Sequence, residues 1–450
     1  MKSKQDLTVG NINKKLWVFA IPLMLGNVMQ QFYNLVDTWV VGKYIGDNAL
    51  AAVGSSYSLM TFLTSVILGL CLGSSAFFSI TFGEKNIKRL KNGMFISFVM
   101  IGIFSLILTF ASFYLCGRIM KILQVPYDIQ GIMSEYLKWI FVGIFATFLY
   151  NYFSNLLRGI GNSVIPLAFL CVSVILNIGL DLYFVLVLKQ GISGAAIATV
   201  ISQYISGIGL MIYVYIRYPE LRLKYEDTKF VKRTAYDIAI LSGMTCLQQS
   251  VMNFGILMVQ GIVNSFGTQI MAAFAVSVKI DTIAYMPVQD FGNAFSIFIA
   301  QNYGARQPER IKKGIRTAVI TSLSFGLLLS ILVCLFAVPL MSLFIDASET
   351  TVIAEGVRYL HIEGAFYFAI GGLFLLYGLY RALAKPGMSV VLTIISLGTR
   401  VALAYTLSAI PSIGVVGIWW SVPIGWFLAD ALGVIYYILK VNNKDFTATT

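Results

Sequence analysis

Long stretches of this chain carry no formal charge. Residues 48–83, 92–117, 190–216, 238–278 and 317–345 contain no Asp, Glu, Lys or Arg. A bilayer core about 30 Å thick is crossed by roughly 20 apolar residues in a helix, and helices satisfy their own backbone groups there. Twelve spans are predicted, near 16–41, 49–82, 93–117, 135–157, 164–188, 194–216, 236–263, 269–302, 315–343, 357–381, 387–409 and 414–439. The run 238–278 is too long for one span and must turn, at Ser265-Phe266-Gly267-Thr268. Of 450 residues, 58% are hydrophobic and 12% charged, about half the charge of an ordinary soluble domain. No polar block remains to form a soluble domain, so the fold class is an all-α integral membrane protein.

The net charge of +12 would suit nucleic acid in a soluble protein, but its distribution follows topology. With the N-terminus inside, 24 of the 32 Lys and Arg fall on the cytoplasmic side. Only Lys43, Arg118, Lys121, Lys189 and Arg358 fall on the other side. This asymmetry is the positive-inside pattern. It predicts cytoplasmic termini, a cytoplasmic 217–235 segment, a multi-pass cell (plasma) membrane location and no nucleic-acid partner. Lys14-Lys15 precede a segment long enough to span, so no cleavable signal is expected.

One histidine excludes a His-rich metal site and disfavours His-based catalysis. Cys71, Cys116, Cys171, Cys246 and Cys334 are far apart with no CxxC, and read as apolar packing residues. GxxxxGK[ST], HExxH and GxSxG are absent. An enzyme is not expected, nor a cofactor, nor a metal beyond a coupling sodium ion. Any active transport must draw on an ion gradient.

The second half echoes the first. Phe82–Gly93 matches Tyr303–Gly314 at an offset of 221, pairing Arg89 with Arg310 and Gly46 with Gly267. Further on the offset is 223: Tyr136-Leu137 pairs with Tyr359-Leu360, Arg158 with Arg381 and Gly191 with Gly414. Each unit holds six spans, so both enter from the same face and the repeat is parallel. Such halves are a transporter design, with the substrate site between them near the midplane. The predicted organisation is a six-helix lobe over 1–216, a cytoplasmic linker over 217–235 and a second six-helix lobe over 236–450.

Polar side chains inside the spans are the functional candidates, because burying them in lipid is expensive. In the first span Asn27, Gln30, Gln31, Asn34, Asp37 and Thr38 share a stripe about 120° wide at 100° per residue. The seventh span carries Gln249, Asn253, Gln260 and Asn264 on one face. Both stripes face protein or water: Gln30, Tyr33, Asn34, Gln249 and Asn253 are expected to line a substrate cavity. Asn177 and Asp181 lie one turn apart in the fifth span, and Thr199, Ser202 and Gln203 in the sixth. Asp37 and Asp181, with amide and hydroxyl neighbours, suit a proton or a sodium ion. Their repeat positions carry no acid pair: Arg400 and Ala404 stand where Asn177 and Asp181 would be. The second half offers Lys279, Asp281, Asp290, Glu363 and Asp430 instead. Pro22, Pro166, Pro287 and Pro423 interrupt spans, and Pro22 is the candidate helix bend.

Ile21-Pro22-Leu23-Met24-Leu25-Gly26-Asn27, Tyr33-Asn34-Leu35-Val36-Asp37, Leu157-Arg158-Gly159-Ile160-Gly161-Asn162 and Gln301-Asn302-Tyr303-Gly304-Ala305 resemble the multidrug and toxic compound extrusion (MATE) transporters. The resemblance covers nearly the whole chain. It implies a MATE-like, V-shaped pair of lobes and export of drugs or organic cations in exchange for protons or sodium ions. Within the family the chain resembles the prokaryotic DinF-like branch. That likeness places the coupling residues at Asp37, Asn177, Asp181 and Thr199, with Glu363 a candidate in the second lobe. A monomer acting on small molecules in a lipid bilayer is expected. The alternatives are a flippase for lipid-linked saccharide and a non-transporting receptor or scaffold. The few basic residues inside the spans disfavour the first, and the buried acids disfavour the second.

Overall fold

The computed structural model describes residues 6–122, 125 and 127–441. The predicted cytoplasmic lysines Lys2, Lys4 and Lys444 lie outside the described residues. Within them, helices account for the regular structure: α1 (Ile12–Tyr44), α2 (Asp47–Gly83), α3 (Ile87–Ile122), α4 (Tyr127–Gly159), α5 (Val164–Leu182), α6 (Gly191–Arg217), α7 (Lys232–Asn264), α8 (Thr268–Gly304), α9 (Pro308–Leu335), α10 (Ala337–Ser342), α11 (Thr350–Glu363), α12 (Tyr367–Ala382), α13 (Pro386–Ser408) and α14 (Val415–Tyr436). Eleven segments are long and apolar enough to cross a bilayer. The first span, α1, is 33 residues long, and its amide stripe dilutes its apolar character. The protein is therefore an all-α multi-pass membrane protein.

The turn expected at 265–268 is present, with Gly267 at φ +97° opening α8. Its repeat partner Gly46, at φ +115°, opens α2 in the same way. One expectation is revised. Pro166 does not interrupt a span: it lies in the first turn of α5, where its missing N–H costs no helical bond. The predicted tenth span is present as Thr350–Ala382, with a 3₁₀ turn, Gly364–Phe366, between α11 and α12.

The chain divides into two compact units. Unit 1 is built on Ile21–Cys246; unit 2 on Leu7–Ala20 together with the chain from Leu247 onward. The first helix of each repeat therefore changes unit part-way along. In α1 the change falls beside Pro22.

The start of α7 docks in unit 1 on a Gly69-Leu70-Cys71-Leu72-Gly73 surface of α2. A Cβ at Gly73 would lie 2.3 Å from the Leu241 carbonyl oxygen, and one at Gly69 2.6 Å from Cys246 Cα. Small residues at this spacing let helix backbones approach closely. A Ser74–Ser242 hydroxyl pair at 2.8 Å fixes the register. In unit 2 the start of α1 sets Trp17 against Phe291 and Phe325.

The repeat-related corners between α2 and α3 and between α8 and α9 each hold the peptide that leads into such a helix, through residues of the flanking helix ends. In unit 2 the Arg310 guanidinium donates to the carbonyls of Leu7 (3.0 Å) and Gly10 (2.7 Å), and Gln301 accepts from the Leu7 N–H. In unit 1 Arg89 pairs with Glu84 and Asp237, both at 2.9 Å. Asn92 donates there to the carbonyls of Asp227 (3.0 Å) and Lys229 (2.7 Å). Each arginine lies over a phenylalanine, Phe77 or Phe298.

Candidate functional site

The polar cluster of unit 1 is assembled from α1, α4, α5 and α6. On α1, Tyr33 and Asp37 lie one turn apart and project together. Asp181 lies at the end of α5, just before the helix widens into a π-helical turn, Tyr183–Val187, a distortion frequent at functional sites. Asp37 is 8% exposed and Asp181 fully buried. Asn177 sits one turn before Asp181. With its amide oriented to satisfy both neighbours, it donates to Asp181 Oδ2 (3.0 Å) and accepts from the Thr199 N–H (3.2 Å). The Thr199 hydroxyl donates to the Ala195 carbonyl (3.1 Å), which leaves it free to accept from the Tyr33 hydroxyl, also at 3.1 Å.

Asp37 Oδ1 and Asp181 Oδ1 are buried and find no hydrogen-bond partner. The two carboxylates lie within electrostatic reach of each other and of Tyr33 and Tyr136. Among the described residues no basic side chain pairs with either acid, and the groups around Asp181 are oxygen- and amide-bearing: Asn177, Thr199 and Tyr33. No cluster of three or more His, Cys, Asp or Glu is present among the described residues.

Beside this cluster unit 1 contains a small cavity of about 50 Å³ between α2, α4 and α6. Met60, Leu63, Ile67, Ile140 and Ile144 give it apolar walls, and Thr64, Thr147, Gln203 and Thr199 supply hydroxyl and amide groups. Thr147 donates to Gln203 Oε1 at 2.9 Å, which fixes that amide. Thr199 belongs to both the cavity wall and the polar cluster. Its lining is mixed, apolar on most sides with hydroxyl and amide groups at one wall.

Asp37, Asn177, Asp181, Thr199 and Tyr33 are thus brought together. Of the other predicted residues, Gln30 is exposed and Asn34 half-buried on the same helix. Gln249 and Asn253 are half-buried on the unit 2 part of α7, where Asn253 donates to the Gln249 carbonyl (3.2 Å). Glu363 belongs to a separate cluster in unit 2, with Asp281, Tyr359 and Arg400. Sequence reasoning missed Tyr136 and the cavity residues of α2 and α4. The Tyr136-Leu137/Tyr359-Leu360 repeat match was the available signal, since both tyrosines stand beside acids.

A family model, MatE, matches residues 22–183 and 242–406. The chain belongs to the MATE family of membrane transporters. This MATE chain is 30% identical to "Probable multidrug resistance protein YpnP" of Bacillus subtilis, covering 96% of both. It is 25% identical to "Probable multidrug resistance protein NorM" of Thermotoga maritima, over 96% of this chain and 93% of that one. A solved structure described as "Outward-facing conformation of a multidrug resistance MATE family transporter of the MOP superfamily" superposes with a TM-score of 0.91 at 21% identity, covering 97% of each chain. Another, "Crystal structure of MATE in the bent conformation", gives 0.90 at 21% identity with the same coverage.

Proposed function

We propose that this MATE transporter is a secondary active exporter of lipophilic or cationic small molecules, driven by exchange with protons or sodium ions across the plasma membrane. The observation that carries the reading is the pair of unsatisfied buried carboxyl oxygens on Asp37 and Asp181, with Asn177 joining Asp181 to Thr199. A cation bound there relieves the repulsion between the two acids. Because Thr199 also lines the adjacent cavity, substrate and ion bear on the same hydroxyl and compete. Binding drives transport only where ion affinity differs between conformations. The change of unit beside Pro22 offers the first helix a point at which to bend. Gln30, Asn34, Gln249 and Asn253 are assigned to the substrate path by their amide stripes.

The test is efflux of a fluorescent lipophilic cation from proteoliposomes under imposed proton or sodium gradients. Asp37→Asn and Asp181→Asn remove one charge each at nearly constant volume. Both are expected to lower gradient-driven efflux more than ten-fold while the protein still inserts. Wild-type efflux in both variants would overturn the assignment.

A further inference from the structure

Unit 2 contains its own pair of unsatisfied acids. Asp281 on α8 and Glu363 at the end of α11 are 3% and 2% exposed. Asp281 Oδ1, Glu363 Oε2, the Tyr367 hydroxyl and Arg400 Nε are all buried without a hydrogen-bond partner. They belong to one cluster. Asp281 faces Glu363 and Tyr367, Glu363 faces Tyr359, and the charge of Arg400 on α13 bears on both acids. Glu363 immediately precedes the 3₁₀ break Gly364–Phe366.

The repeat shows what this cluster replaces. At the offsets of 221 and 223, Asp281 corresponds to Met60, Tyr285 to Thr64, Glu363 to Ile140 and Tyr367 to Ile144. All four counterparts line the unit 1 cavity. Where unit 1 has a small, mostly apolar cavity, unit 2 places two acids and two tyrosines. Arg400 corresponds to Asn177, the neutral amide that bridges Asp181 to Thr199 in unit 1. One position thus carries an amide beside one acid pair and a permanent positive charge beside the other.

The charge balance differs accordingly. Asp37 and Asp181 have no basic partner among the described residues and stand at a formal charge of about −2 when ionised, which a mobile cation must offset. Asp281, Glu363 and Arg400 together stand at about −1, and adjacent carboxyls that share a single proton bring that to neutrality. We propose that Arg400 is a tethered counter-ion that keeps the Asp281/Glu363 pair closed to exchangeable cations. Unit 2 then holds a fixed polar cluster where unit 1 holds a small cavity, and one lobe alone exchanges ions. A guanidinium cannot leave with the cycle, and it cannot be neutralised at any physiological pH. In a low-dielectric interior its charge acts on both acids beyond contact distance. This inference rests on the reading of Asp37 and Asp181 as the exchangeable pair.

The experiment is thermal unfolding of the purified full-length protein in detergent at pH 8, against sodium chloride at constant ionic strength with choline chloride as balance. A ligand that binds only the folded state raises the unfolding midpoint with its concentration. Wild type is expected to show one sodium-dependent rise, absent in Asp181→Asn. Arg400→Asn, which installs the residue of the other lobe, is expected to gain a second rise. That gain should persist when Asp181→Asn is added and vanish when Glu363→Gln is added. The reciprocal Asn177→Arg should abolish the wild-type response. The proposal is overturned if Arg400→Asn adds no sodium response. It is also overturned if the response of Asp181→Asn persists and disappears with Glu363→Gln. Should Arg400→Asn fail to fold, Asn177→Arg decides: a retained response refutes the tethered counter-ion, and a lost one supports it. If wild type and Asp181→Asn respond alike while Arg400→Asn still gains a response, the coupling assignment to unit 1 fails and this one stands.

Discussion

Tyr33 and Asp37 lie a single helical turn apart, yet they bear on the unit 1 cluster differently. Asp37 offers an unsatisfied oxygen, whereas Tyr33 donates to Thr199 at 3.1 Å and holds that hydroxyl in place. Tyr33→Phe should therefore weaken cation affinity without unfolding the protein. Loss of one such hydrogen bond is worth about 1 kcal/mol, roughly five-fold in affinity, read from the half-saturating ion concentration for efflux. A second residue, Asp227, acts outside the membrane. Burial alone would raise its carboxyl, but hydrogen bonds from Lys91 and the Lys224 N–H outweigh this and hold it below its ordinary value of 3.8. A depressed carboxyl stabilises the fold fully above the unfolded value and loses that contribution as pH falls through the folded one. The difference in unfolding temperature between wild type and Asp227→Asn should stay constant from pH 7 to about pH 5 and close below 3.8. Asp37, Asn177 and Asp181 were legible in the sequence because each is a polar residue in an apolar run. Tyr136 was not: with 24 tyrosines in the chain, an aromatic carries no signal until its neighbours are known.

Among the elements, α2 and α7 bring their backbones close together. Gly73→Ala would force a methyl to within 2.3 Å of the Leu241 carbonyl, a backbone atom that cannot rotate away. Overpacking of this kind costs typically 1–3 kcal/mol. The variant should unfold several degrees below wild type, while Gly54→Ala, which meets nothing within 4 Å, should not. The uncharged apolar runs marked the eleven spans found, because charge is so sparse between the loops. They did not locate the breaks. The π-helical turn after Asp181 and the 3₁₀ turn after Glu363 depend on which backbone carbonyls neighbouring helices leave unpaired, a tertiary property. Nor did they mark where α1 and α7 change unit. Each reads as one continuous span, and only the packing of its first turns assigns them elsewhere.

For the whole molecule, the charge asymmetry of the sequence predicts that the 217–235 segment is cytoplasmic. A single cysteine at Thr228 in a cysteine-free background should react with an impermeant thiol reagent in inverted vesicles and not in intact cells. Labelling from outside would reverse the topology. The clamped entry segments also bear on synthesis. Unit 1 needs Lys232–Cys246 to cover the glycine face of α2, and those residues emerge only after the first six spans. At about 5–20 residues per second, translation leaves that face uncovered for seconds, and the insertion machinery must shield it. A nascent chain halted at Arg217 should remain bound to the insertase, and one extended past Cys246 should be released from it, as read by crosslinking from Gly73.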